Sequence, residues 1–191
     1  MVPWSFNFHE EFVAAHLSSA HGSAPAPLSR WQLPPSFAVK INTDAAISSV
    51  GGIGLGIVIR NHAGVVLAAA AQRVRQPFSV QVAEATGILQ GLLLAKFLGL
   101  LPASLESDSL SVVNDIHHAS YLANLGLIIM DIQFILSFFP GSVVGFVPRL
   151  ADQVAHCLAK FALSLEVDRL WLNDFPPCLC NLLFEDSIFC G

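Results

Sequence analysis

No run of basic residues occurs anywhere in this 191-residue chain, and charged side chains of either sign make up only 12% of it. Proteins that hold nucleic acid by charge alone cluster Lys and Arg, so tight, indiscriminate binding of nucleic acid is not expected. The few charges are also unevenly placed. Between residues 36 and 165, seven basic residues (Lys40, Arg60, Arg73, Arg75, Lys96, Arg149, Lys160) meet seven acidic ones (Asp44, Glu84, Glu106, Asp108, Asp115, Asp131, Asp152), so that segment is neutral. The formal net charge of -5 comes from the flanks, where Glu10, Glu11, Glu166, Asp168, Asp174, Glu185 and Asp186 outnumber Arg30 and Arg169.

Other absences narrow the class further. Cys157, Cys178, Cys180 and Cys190 contain no CxxC pair, which argues against a zinc ribbon and against a disulfide framework. Free thiols in a reducing compartment are the simpler reading. His9, His16 and His21 match no common metal-ligand spacing. The N-terminus has no basic region ahead of an apolar run and carries Glu10 and Glu11, so no secretory signal is expected. An intracellular site, nuclear or cytoplasmic, follows from that expectation. One apolar run, Leu122 to Pro140, has the length of a membrane helix. Asp131 lies near its middle, where a charge costs about 2.5–3.5 kcal/mol on insertion scales. A buried helix running into a core strand is expected instead, and no membrane is implied.

What the chain does have is apolar residue, at 54% of the total, enough to close one core. Residues 1 to 30 are rich in Ser, Ala, Pro and His and read as a linker or tail. Strands are expected at about 38–44, 53–61 and 65–73, the last two joined by the turn Asn61-His62-Ala63-Gly64, with glycine where positive φ is cheap. Helical spacing over 80–99 puts Glu84, Ile88, Gly91 and Ala95 near one face. A strand at 103–106, helices at 107–118 and 126–138, a strand at 142–147 and a helix at 150–163 follow. Residues 172–191 are expected to form a packed proline- and cysteine-rich tail. A three-strand meander followed by alternating helices and strands implies an α/β fold with a mixed sheet covered by helices.

Four acids sit at junctions of these elements. Asp44 ends the first strand, Glu84 starts the first helix, Asp108 follows the fourth strand, and Asp152 begins the last helix. Glu84 and Asp152 also suit the positive end of a helix dipole, and Asp108 an N-cap. Taken singly, those capping roles are the simpler account for all but Asp44, which falls in an otherwise strand-like stretch. Taken together, carboxylates meeting at strand ends repel one another unless a cation joins them. Oxygen-only ligands suit Mg²⁺ or Mn²⁺.

Five strings carry more: "KINTDAA", "GGIGLGIVIRNHAG", "AEATGILQGLLLAKFLG", "LESDSLSVVNDI" and "FVPRLADQVAHCLAKFAL". In that order they resemble the plant ribonuclease H-like domains related to the reverse transcriptases of non-LTR retroelements. The resemblance spans about residues 31–171. It implies a five-stranded mixed sheet of order 3-2-1-4-5 with flanking helices, and two Mg²⁺ or Mn²⁺ ions. It implies Asp44, Glu84 and Asp108 as metal ligands and catalytic residues. The family's fourth ligand is an Asp in an "AD-x-LA" setting, where this chain has Ala155-His156-Cys157-Leu158-Ala159. His156 therefore stands at the ligand position, and Asp152 falls one helical turn earlier, where the family usually has Asn. The family's mobile histidine before "VPR" is replaced by Phe146.

The first expectation is a hydrolase of the RNA strand of RNA–DNA hybrids, with Asp152 or His156 standing in for the missing acid. Hybrid binding is expected to be weak and to use Arg60, Arg73 and Arg149 as phosphate contacts. The alternatives are a degenerate nucleic-acid-binding module that keeps the fold, and a retroelement remnant with an interaction role.

Overall fold

The computed structural model describes residues 30–48, 52–76, 78–119 and 123–189. The expected N-terminal tail lies outside them, save Arg30. The alternating β1 (Val39–Ile47) and the apolar runs of β2 (Ile53–Asn61) and β3 (Val66–Val74) build an antiparallel meander. Gly64 closes the second turn at φ +77°, and the Asn61 side chain accepts from the Ala63 and Val65 amides. α1 (Val80–Phe97) follows, capped by the Ser79 hydroxyl on the Val82 amide at 3.3 Å. Then come β4 (Pro102–Ser107), α2 (Leu110–His117), α3 (Ala123–Leu136), β5 (Val143–Phe146), a 3-10 turn at Arg149–Ala151 and α4 (Gln153–Ala162).

β4 runs parallel to β1, and β5 parallel to β4. The observed order is β5-β4-β1-β2-β3-β6. This is the expected five-strand order with one strand added. β6 (Arg169–Leu172) pairs antiparallel with the outer edge of β3 and covers its open hydrogen-bonding groups. The sequence pattern predicts no strand there. Beyond β6 the tail packs against the domain: a 3-10 turn at Pro177–Leu179 buries Leu179 completely, and α5 (Cys180–Phe189) follows.

Period-two alternation divides β1 between two cores. Ile41 and Thr43 face α1, whose Gly91 lies against both. With Ile57, Ile59, Ile88, Leu92, Leu105, Ile129 and Ile132 they bound the larger core, filled by α1, α2 and α3. Each such buried aliphatic side chain is worth about 1.5–3 kcal/mol. Lys40, Asn42 and Asp44 face the other way, toward α4. There Val58, Ala69, Val154, Leu158 and Ala162 form a smaller core that Leu179 joins. The apolar run at 122–140 resolves into α3, whose Asp131 is exposed. No helix among the described residues is long and apolar enough to cross a membrane.

Candidate active site

The β1–β4 register sets Thr43 beside Ser107. The next residues are Asp44 and Asp108, so two carboxylates leave neighbouring parallel strands at the same level, where α/β sheets gather ligands. Asp44 is fully buried and Asp108 half-buried. Asp108 lies ahead of α2, whose N-cap residue is Ser109, so it is free of a capping role.

Two glycines bring the next groups in. A Cβ on Gly56 would stand 2.1 Å from the Ala155 carbonyl oxygen, and one on Gly54 2.0 Å from that of Ala159. Bare backbone here lets α4 lie directly on β2. Gly56 is also the cross-strand partner of Asp44, so the helix passes beside that carboxylate. Asp152, the N-cap residue of α4, and His156, one turn on, are thereby set next to Asp44. Asp152 occupies the cap position without capping: its side chain makes no hydrogen bond to the helix. One carboxylate oxygen each from Asp44, Asp108 and Asp152 lies within 4.8 Å of the others.

Glu84 reaches the same end of the sheet from α1, on the opposite face. It is the fifth residue of that helix rather than a first-turn acid, so the helix dipole does not account for it. It is 4% exposed, and its Oε2 has no hydrogen-bond partner.

His156 Nδ1 lies 2.8 Å from Asp44 Oδ2. Arg149, in the 3-10 turn before α4, closes the cluster from outside. Its Nε donates to Asp108 Oδ2 at 2.9 Å, its Nη2 stands 3.8 Å from Asp44 Oδ1, and its Nη1 lies 3.2 Å from His156 Nε2. The same Nη1 lies 3.3 Å from His156 Nδ1, so the guanidinium sits against the ring between its two nitrogens rather than in line with either one.

Burial sets the electrostatics. It is the main reason the Asp44 carboxyl lies above the usual range; Asp108 adds to this, while His156 and Arg149 oppose it. Burial, then the Asp44 and Asp108 charges, push Glu84 up to about 8. Asp152 is pushed up well beyond an ordinary carboxyl by the same three influences and by Glu106. Burial works against the Arg149 cation, but Asp108 and Asp44 hold it above its ordinary value.

This donor set fits a hard divalent cation. It is all oxygen, and Asp44 Oδ1, Glu84 Oε2 and both Asp152 oxygens are buried without hydrogen-bond partners. Buried polar atoms are otherwise almost always paired. Asp44, Asp108 and Asp152 could hold the ion directly, with Glu84 beside them.

The expected site residues thus converge at one end of the sheet: Asp44, Glu84, Asp108, Asp152 and His156. The expected phosphate contacts do not. Arg60 is 1% exposed; its Nη1 pairs with Asp186 at 2.6 Å and its guanidinium lies 3.5 Å from the centre of the Trp31 ring. Its burial withdraws it from any phosphate in this conformation. Arg73 is half-buried and donates to the Leu165 carbonyl at 3.1 Å. Only Arg149 stands at the site, engaged with carboxylates. Its spacing was the available signal: 149, 152 and 156 fall at i, i+3 and i+7, on one side of the turn and helix.

A model of the reverse transcriptase-like family matches residues 42–162, more than half of the chain. Among solved structures, the N-terminal RNase H domain of Rv2228c from Mycobacterium tuberculosis superposes with a TM-score of 0.60 at 28% identity, covering 66% of this chain and 93% of that one. RNase H1 from Halobacterium salinarum NRC-1 gives 0.59 at 22%, covering 66% and 97%. LC11-RNase H1, isolated from compost and solved in complex with an RNA/DNA hybrid, gives 0.55 at 21%, covering 66% and 99%. No curated protein matches. A mixed sheet in this order, with carboxylates meeting where β1 and β4 end, is the RNase H architecture, and the chain belongs to the reverse transcriptase-like family.

Proposed function

We propose that this protein is a ribonuclease H-type endonuclease that hydrolyses the RNA strand of RNA–DNA hybrids with divalent ions, Mg²⁺ or Mn²⁺, two in the active form. The observation that carries the reading is the cluster of Asp44, Asp108 and Asp152 with buried, unpartnered oxygens, on a fold whose relatives include RNase H enzymes. When bound, the ions supply an activated water and stabilise the leaving oxygen of the phosphodiester. The chain's own residues arrange the rest. Asp44 and Asp108 hold charge at a fixed separation because their strands are locked in register. Asp152 replaces the family's fourth acid from one helical turn away, and glycines 54 and 56 make that replacement possible by seating α4 on the sheet. His156 orients the Asp44 carboxylate through its Nδ1–H rather than acting as a ligand. With a neutral central segment, hybrid binding is weak and rests on shape, backbone and 2′-hydroxyl contacts. The unit carrying the activity is residues 31–171. The five quoted strings support an origin among plant, retroelement-related domains.

A second reading has a specific observation in its favour. The fourth ligand position is a histidine, and a guanidinium is ion-paired within the cluster. Both fit a module that keeps the fold and binds nucleic acid without cutting it. Cleavage of a labelled RNA–DNA hybrid by the purified protein, in Mg²⁺ and in Mn²⁺, separates the two. Cleavage that disappears in Asp44→Asn and Asp152→Asn but persists in His156→Ala supports the nuclease and the assignment of Asp152. No cleavage with either ion by folded protein leaves the binding module.

A further inference from the structure

Arg149 is unusual among the charged groups of this end of the molecule. It is the one cation among four carboxylates, and it is held by an exposed stem. Its side chain is 57% exposed, while the Asp44 side chain it approaches is fully buried. It belongs to the short 3-10 turn Arg149–Ala151 rather than to α4, so the side chain can swing outward without disturbing the helix. Its three contacts, to Asp108, Asp44 and His156, place the guanidinium on the carboxylates that would hold a divalent ion.

That arrangement neutralises only part of the cluster. A guanidinium is planar and its donors point in a fixed fork, so it cannot reach oxygens on all sides. Glu84 Oε2 and both oxygens of Asp152 stay without partners behind it. A compact divalent ion carries twice the charge and takes oxygen ligands from every direction. It offers the inner carboxylates what Arg149 does not.

We propose that Arg149 is the built-in competitor of the divalent ion: its guanidinium occupies the carboxylate cluster, and must leave Asp44 and Asp108 for the ion to be fully held. This rests on the nuclease reading and deepens it by naming what regulates entry to the site. Because the pair is solvent-exposed on the arginine side, the competition is mild, as exposed ion pairs are. The ion wins at sufficient concentration, and the arginine sets how much is sufficient. Once displaced, Arg149 is freed at the mouth of the site.

The test is Mn²⁺ binding to the full chain, followed by calorimetry and by the electron paramagnetic resonance of free Mn²⁺. Wild type, Arg149→Met and Arg149→Lys are compared at one pH and ionic strength. Arg149→Met is expected to bind Mn²⁺ tighter by up to about fivefold, the factor an exposed ion pair represents, with Arg149→Lys between. Without metal, Arg149→Met is expected to melt below wild type at pH 8, and saturating Mn²⁺ to erase the difference. Equal Mn²⁺ affinity in all three proteins overturns the competition and leaves the nuclease reading standing. Weaker Mn²⁺ binding in Arg149→Met overturns it in favour of a supporting role for the arginine. Weaker hybrid binding with unchanged Mn²⁺ affinity would make Arg149 a phosphate contact instead. No Mn²⁺ uptake by any of the three sinks both the competition and the nuclease reading.

Discussion

Two charged clusters lie along β1, and they are built on opposite plans. The first lies around Asn42. Lys40 pairs with Glu106 at 2.6 Å and also donates to the Gln32 carbonyl. Arg60 pairs with Asp186, and Asn42 links Trp31, Arg60 and Glu106 through hydrogen bonds of 2.9, 3.3 and 3.0 Å. Two cations meet two anions, and only Arg60 Nε lacks a partner. The second cluster starts two residues further along the same strand, at Asp44. There four acids meet one arginine, and four buried carboxylate oxygens have no hydrogen-bond partner. Burying unpaired charge costs several kcal/mol per group. A fold accepts that cost where something external repays it. The first cluster is complete within the chain; the second keeps buried oxygens that no group among the described residues hydrogen-bonds.

The sharpest way to break this contrast is to remove a member of the complete cluster. Arg60→Met leaves Asp186, Asn42 and Glu106 without their counter-charge and removes the stacking on Trp31. Breaking a buried pair from one side costs about 3–5 kcal/mol. A loss of that size is expected in urea denaturation, with cleavage per folded molecule little changed. Loss below about 1 kcal/mol would mean the network is not what holds α5 to the sheet.

In the incomplete cluster the signs reverse. Asp44→Asn is expected to lower hybrid cleavage at least about 100-fold, since a metal site acts as a unit. The same substitution relieves repulsion and unpaired burial, so the metal-free protein is expected to melt no lower than wild type. Lower stability together with lost cleavage would make Asp44 a structural residue. This stability readout keeps the test independent of whether the enzyme turns over.

The contrast also shows what was legible in the sequence. β2 was expected at 53–61 and forms at Ile53–Asn61, because glycine alternating with branched residues fits a strand buried on both faces. Asp44 stood out because an acid in a buried strand needs a reason. Arg60 was expected as a phosphate contact because its actual partners are remote: Asp186 lies 126 residues away, in a tail with no strong periodicity. β6 was missed because a four-residue, largely exposed strand has no pattern of its own; only the free edge of β3 calls it into being. Asp152 was visible as a candidate, but its partnership with Asp44 depends on α4 resting on glycines 54 and 56, a contact that spacing along the chain does not encode.

A pH profile probes the incomplete cluster more gently. Glu84 is held at about 8 in the folded protein, with 4.5 as its ordinary value. Between these values the folded state keeps a proton that the unfolded chain releases, so stability falls as pH rises from 4.5 toward 8 and is flat for this group above it. Glu84→Gln is expected to flatten that slope and to raise metal-free stability at pH 8 by about 1–3 kcal/mol. Asp44 and Asp152, also raised, contribute slope of the same sign, so some dependence remains. An unchanged slope would show that Glu84 is ionised in the fold without an ion.

The smallest effect is expected outside both clusters, at Arg73. Its Nη1 caps the Leu165 carbonyl, and its own amide donates to Asp168 Oδ1 at 2.9 Å, which ties the end of β3 to the chain entering β6. Arg73→Met keeps the amide contact and loses one partly exposed hydrogen bond, worth about 0.5–1 kcal/mol. Hybrid binding at low salt, read by fluorescence anisotropy, is expected to stay within about twofold of wild type. A phosphate contact would instead weaken binding and flatten its salt dependence by about one ion. That outcome would place the hybrid along the β3–β6 edge as well as at the carboxylates, and would mean the added strand shapes the substrate track rather than merely covering an edge.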